Sequence, residues 1–199
     1  MKNIIFDLGN VLLSFHPDEF LDQYYTKDIK DDLMTIIFAS DEWVDLDLGL
    51  TTITQVIHDL SQRYPQYKDE ISFVLTHWTS MLKPIEENVE LVYKLHDMGY
   101  PLYILSNFHK EAIQTMVQKY DFFKLFQGGI ISAYEKCAKP EDHIYHLLLE
   151  RYQLNPNESL FIDDSLGNVH TANLIGIHTI HLAYQVSLKK ELKEWKIIP

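Results

Sequence analysis

Four short stretches place chemically capable side chains at the ends of apolar runs or beside a proline. In NIIFD, residues 3–7, an apolar run leads to a lone acid, Asp7, with Gly9 two positions on. YILSN (103–107) delivers a hydroxyl, Ser106, and an amide, Asn107. Lys139-Pro140 sets a cation on a loop, and SLFIDD (159–164) ends on paired acids, Asp163 and Asp164. A carboxylate can attack phosphorus and carry it as an acyl phosphate, which splits a displacement into two easier steps. Carboxylates from separate segments can hold Mg²⁺ against a phosphate oxygen, because that ion prefers hard oxygen ligands and keeps several waters. A serine hydroxyl, backbone N–H groups and a lysine can bind the other phosphate oxygens and neutralise developing charge. Taken singly these signals are weak, since an acid after an apolar run commonly caps a helix and Ser-Asn commonly turns. Their order and shared placement carry the information.

That placement requires strands. Ile4–Phe6, Leu102–Leu105, Gly129–Ile131, Leu160–Ile162 and Thr179–Leu182 read as short strands. Glu87–Met98, Lys110–Lys119 and Asp142–Tyr152, by contrast, show helical periodicity. Strand–helix alternation predicts an α/β fold, a doubly wound parallel sheet with helices on both faces. Ligands of such sheets sit outside the carboxyl ends of the strands, where these side chains fall. From about Pro17 to Leu82 there are helical patterns and no strand: one helix around Phe20, Tyr24 and Tyr25, one around Leu33, Ile36 and Ile37, then Ile53–Leu60 and Ile71–Trp78. DEWVDLDLGLTT (41–52) reads as a turn-rich connector inside this block. The expectation is a helical cap at 17–82, inserted after the first strand into a core formed by 1–16 and 83–199.

Composition bounds the function. Hydrophobic residues make up 46% of the 199 and charged residues 23%, an ordinary globular balance. A formal net charge of −12 argues against nucleic-acid or anionic-membrane partners, which need a cationic surface. An anionic ligand would instead need local positive charge from a metal or a lysine. No run is long enough to span a membrane and no secretory leader is evident, so a cytoplasmic protein, monomeric or weakly dimeric, is expected. The single cysteine, Cys137, fits a reducing compartment and a small buried residue. His143 and His146 lie one helical turn apart, but no Cys, His or acid cluster nearby completes a zinc set.

FDLGNVL (6–12), ILSNF (104–108), KP (139–140) and FIDDSLGN (161–168) together resemble, in order, the four motifs of the haloacid dehalogenase-like hydrolase superfamily. DLGNV and the FxDD pattern are most similar to its small bacterial sugar-phosphate phosphatases of the glucose-1-phosphate type. The resemblance implies a Rossmann-like core with a mobile helical cap, and a Mg²⁺-dependent phosphatase acting on a small phosphorylated metabolite. It implies Asp7 as nucleophile and metal ligand, with the backbone carbonyl of Gly9 as a second ligand. Ser106 and Asn107 would bind the phosphoryl group, Lys139 would balance its charge and Asp164 would complete the metal set. Asp163 would act through water or by orienting Lys139, and Asn168 from further out. Trp43, Asp47 and Leu48, in the connector, are the candidates for substrate specificity.

Gly9 departs from the family pattern, in which that position usually carries an aspartate that moves the proton. Two alternatives stay open: a non-catalytic or weakly catalytic phospho-ligand binder on the same fold, which Gly9 favours, and a metal-independent 2-haloacid dehalogenase, the chemistry that named the superfamily. The paired Asp163-Asp164 is unexpected for the dehalogenase.

Overall fold

The computed structural model covers all 199 residues. Five strands form one parallel sheet: β1 (Asn3–Phe6), β2 (Leu102–Ser106), β3 (Gly128–Ile131), β4 (Ser159–Asp163) and β5 (His178–His181), in the spatial order β3-β2-β1-β4-β5. β1 therefore lies at the centre, its Phe6 opposite Ile104 of β2 on one side and Ile162 of β4 on the other. The chain winds outward from β1 to β2 and β3, then returns to the far side of β1 for β4 and β5. The three central strands are nearly continuously buried, as expected of parallel strands covered on both faces. Alternate residues serve opposite faces. Ile4, Phe6, Leu102, Ile104, Leu160 and Ile162 join one hydrophobic cluster, while Ile5, Tyr103, Leu105 and Phe161 join another.

Between β1 and β2 the chain forms α1 (Pro17–Leu21), α2 (Lys27–Leu33), α3 (Asp41–Asp47), α4 (Ile53–Arg63) and α5 (Lys68–His77), followed by α6 (Glu86–Asp97) of the sheet layer. α7 (Lys110–Lys119) follows β2, and α8 (Ser132–Glu135) and α9 (Asp142–Arg151) follow β3. α10 (Leu166–Ile175) follows β4, and α11 (Leu188–Glu194) follows β5. No helix is long and apolar enough to cross a membrane. The way into and out of the helical block is a narrow neck. Leu13 bridges Pro84, the Ser14 amide donates to the Lys83 carbonyl at 2.8 Å, and the Lys83 amide donates to the Ser14 hydroxyl at 3.3 Å. The block does not keep a core of its own: Leu21, Leu33, Val56 and Leu60 belong to the cluster that also holds Ile4 and Phe6.

Two features of the block differ from the sequence expectation. Residues 41–47, read as part of a turn-rich connector, are helical. Ser40 caps α3 by accepting a hydrogen bond from the Trp43 amide at 3.2 Å, Asp41 and Glu42 favour its positive end, and buried Leu46 anchors it. The acid-rich, short apolar pattern hid this, because one buried leucine is too few to show a period. The first helix stops at Leu21, so Tyr24 and Tyr25 lie on the turns beyond it, their amides both donating to the Leu21 carbonyl. Phe20, Tyr24 and Tyr25 still meet, but around the Phe73 ring of α5 rather than along one helix face.

α3 ends where it touches the sheet layer. Gly49, at φ 63°, lies so close to α8 that a Cβ there would meet the Ala133 carbonyl oxygen at 2.1 Å. Gly99, at φ 83°, has open space around it. The left-handed backbone alone costs a residue with a side chain about 1–2 kcal/mol. Both Gly49→Ala and Gly99→Ala should therefore lower the melting temperature, by roughly 2–4 °C per kcal/mol for a chain of this size. Gly49→Ala must lose clearly more, because it also pushes α3 off α8. Equal losses in thermal denaturation would mean that this approach is not sterically constrained.

Candidate active site

At the carboxyl end of the sheet, Asp7 follows β1, Ser106 ends β2 and Asp163 ends β4, so neighbouring strands deliver all three to one edge. Ser106 Oγ donates to Asp7 Oδ1 at 2.7 Å. Lys139 Nζ reaches the same oxygen at 2.9 Å and Asp163 Oδ2 at 2.6 Å, which fixes the ammonium between two strand ends. Its side chain is only 1% exposed, and that of Asp163 is wholly buried. Asn107 fixes the backbone of that lysine: its side-chain amide donates to the Lys139 carbonyl and accepts from the Lys139 amide, both at 2.8 Å. Asn107 thus acts here through its side chain, a role the sequence does not reveal.

Burial and charge set the protonation states. Desolvation pushes the Asp7 carboxyl up to about 6, opposed by Lys139 and reinforced by Asp163. Burial works to lower the pKa of Lys139, but Asp7 and Asp163 outweigh it, so the ammonium is held above its usual range. Burial also raises Asp164.

The oxygens of Asp7, Asp163 and Asp164 come within 4.8 Å of one another. They are not equivalent. Asp163 is spoken for: Oδ1 accepts from the Ser165 amide at 2.8 Å and from Asn168 Nδ2 at 3.0 Å, while Oδ2 accepts from Lys139 and from Asn168 at 3.1 Å. Asp164 Oδ2 accepts from Asn10 Nδ2 at 3.1 Å. Asp7 Oδ2, Asp164 Oδ1 and the Gly9 carbonyl accept no hydrogen bond from another residue. Unengaged hard oxygens of this kind suit Mg²⁺ better than any softer ion.

Asn10 is a residue that sequence reasoning missed. It sits at φ 52°, a left-handed position that asparagine tolerates, and its Oδ1 also accepts from the Phe15 amide at 3.0 Å. The signal was present in DLGN, where a turn-forming asparagine follows a glycine. Lys136 is exposed and likewise left-handed, at φ 57°. His143 and His146 are exposed on α9, and Cys137 is buried and free.

Beside the helical block lies a cavity of about 100 Å³. Gly9 and Asn107 form its floor, and Trp43, Asp47, Trp78 and His109 stand among its walls. Trp43 is also a packing residue, with its ring centroid 4.8 Å from Phe38, 5.0 Å from Trp78 and 4.4 Å from His109. Leu48 is half-buried and does not line this cavity. Ser132 Oγ donates to the Asp47 carbonyl and accepts from the Phe108 amide, tying the end of α3 to the loop after β2. His109 is the second residue missed from sequence; its imidazole is buried, and neither nitrogen has an aligned partner.

A model of the haloacid dehalogenase-like hydrolase family matches residues 1–176. The chain is 28% identical over 193 residues to a sesquiterpene phosphatase of Aspergillus oryzae, covering 97% of this chain and 95% of that protein. A 104-residue stretch is 26% identical to an (S)-2-haloacid dehalogenase of Burkholderia cepacia, covering 52% of this chain and 45% of the enzyme. Among solved structures, a HAD family enzyme of Bacteroides thetaiotaomicron, in complex with magnesium and inorganic phosphate, superposes with a TM-score of 0.75. It is 23% identical, and the match covers 96% of this chain and 98% of that one.

The buried ammonium makes a stability prediction. Lys139→Met leaves two carboxylates buried without a counter-ion, a change that typically costs about 3–5 kcal/mol. The Asp7 carboxyl, lifted to about 6 by burial, makes the folded state bind more protons than the unfolded chain, so stability falls as pH rises through that window. In the variant the lift is greater, so its deficit against wild type should be smaller at about pH 5 than at about pH 8. Thermal denaturation at the two pH values checks this; a deficit independent of pH would mean that lost packing, not unpaired charge, is responsible.

Proposed function

The chain belongs to the haloacid dehalogenase-like hydrolase family, and from that premise we propose that it is a Mg²⁺-dependent phosphatase of a small phosphorylated metabolite, working through an aspartyl phosphate on Asp7. The observation that carries the reading is the Asp7 carboxylate held between Ser106 Oγ and Lys139 Nζ, with the unengaged oxygen of Asp164 beside it. The core is assigned to residues 1–16 and 83–199 and the cap to 17–82, with the neck at Leu13 and Pro84 as the boundary.

Each residue has one task. Asp7 presents an oxygen to phosphorus and becomes the acyl phosphate that water later cleaves. Ser106 and the backbone amide of Asn107 bind oxygens of the transferring group, and Lys139 compensates its charge. Asp163 and Asn168 hold Lys139 in position and do not touch the substrate. Asp7, the Gly9 carbonyl and Asp164 would hold Mg²⁺, which would supply positive charge to offset the phosphoryl oxygens and the attacking carboxylate. The need for it is electrostatic. Three carboxylates face a single ammonium, and the whole chain carries −12, so without a divalent cation the site repels a phosphate ester.

Full-length similarity to a sesquiterpene phosphatase, and a structural neighbour crystallised with magnesium and phosphate, support phosphate-ester hydrolysis. The dehalogenase relative matches only 52% of this chain, against 97% for the phosphatase. A sugar phosphate remains one candidate substrate. The apolar rings around the cavity suit any small leaving group with a hydrophobic face.

Phosphate release from a panel of phosphorylated metabolites, with and without Mg²⁺, tests the proposal. Excess chelator should abolish release and Mg²⁺ should restore it. Asp7→Asn should leave the circular dichroism spectrum unchanged and remove turnover. Turnover that persists in chelator, or in Asp7→Asn, would show that the chemistry lies elsewhere.

A further inference from the structure

The mechanism above provides no proton for the departing oxygen. At Gly9, where the family pattern has an acid, there is no side chain, and a Cβ placed there would meet nothing within 4 Å. That gap opens onto the cavity under the cap. Among the residues lining it only two titrate, Asp47 and His109. Resting on the phosphatase reading, we infer that Asp47, at the end of α3, is the general acid and base that position 9 lacks.

Three observations converge on Asp47. Its Oδ1 lies 3.3 Å from His109 Nε2, and its side chain, 23% exposed, retains access to the cavity. Its backbone is fixed by Ser132, which is itself held by the amide of Phe108. Phe108 and His109 directly follow Ser106-Asn107, so the loop that carries the proposed phosphoryl-binding residues also meets the end of α3, through Ser132 and at His109. The groups facing Asp47 are His109 at the start of α7, Asp7 after β1 and Lys139 before α9. Burial, then the negative charge of Asp7, push the Asp47 carboxyl up to about 7 against the pull of Lys139. Burial pushes the His109 imidazole down to about 3, so at neutral pH it is uncharged and is not the general acid. An acid whose pKa lies near the working pH is the more effective proton donor.

The steps balance. As the Asp7 oxygen bonds to phosphorus and the bond to the leaving oxygen breaks, that oxygen takes the Asp47 proton and departs as an alcohol. Water then attacks the acyl phosphate and gives a proton to the Asp47 carboxylate. The bond between phosphorus and Asp7 breaks, inorganic phosphate leaves, and both residues return to their starting states. Because the acid rides on the cap, the proton is available only when the cap is docked.

The test compares p-nitrophenyl phosphate, whose leaving group needs no proton, with ethyl phosphate, whose leaving group does. In Asp47→Asn, kcat/KM for the ethyl ester should fall about a hundredfold or more, and far more than for the nitrophenyl ester. Adding Gly9→Asp to that variant should restore the ethyl ester preferentially. In wild type, independent of any variant's folding, the ethyl ester should show an alkaline limb in kcat that the nitrophenyl ester lacks. Equal losses on both esters, no rescue by Gly9→Asp, or identical pH profiles would each overturn the role of Asp47 while leaving the phosphatase reading standing. If wild type turns over neither ester with Mg²⁺, the phosphatase reading falls and this inference with it.

Discussion

A single ammonium, buried between the carboxylates of Asp7 and Asp163, is the constraint around which the rest is arranged. A buried ion pair is not in itself a source of stability, since desolvating the charges costs roughly as much as their attraction returns. What it provides is position. Lys139 arrives on a loop from the far side of β3, and it can be satisfied only if β1 and β4 lie side by side with their ends level. The register supplies that, with Phe6 opposite Ile162. Asn168 and Ser165 then saturate Asp163, leaving Asp7 and Asp164 with the oxygens that remain available for chemistry.

The sheet explains why this edge can be so charged. Its central strands are covered on both faces by two hydrophobic clusters, with successive residues of each strand serving opposite sides. Hydrophobic burial anchors the strands along their length, so their ends are free to carry groups that would destabilise a core. The helical block joins one of those clusters rather than forming its own. The helical block and the sheet layer are therefore coupled by packing as well as by the neck at Leu13 and Pro84. Gly49 sets how closely α3 can approach α8, and so where Asp47 comes to rest.

Much of this was legible in the sequence. The five strands were visible because parallel strands buried on both faces are continuous short apolar runs, as in NIIF and SLFI. Asp7, Ser106, Lys139 and the Asp163-Asp164 pair stood out because each interrupts or follows such a run, and the rule that ligands bind beyond the carboxyl ends of strands brings them together without coordinates. α3 was hidden because its cap, Ser40, and its single buried leucine leave no periodicity to detect.

Which acid of the pair keeps a free oxygen, that Asn10 orients it, and that His109 lies unpartnered against Asp47 were decided only by the tertiary structure. These depend on contacts between segments far apart in the chain, such as Asn10 with Asp164 and Asp47 with His109, and residue type carries no record of them. The sequence by itself determined which chemical groups reach the edge of the sheet, because alternation and strand length are local properties. The tertiary structure decided their protonation and their partners, because burial and charge–charge distance exist only once the chain has packed.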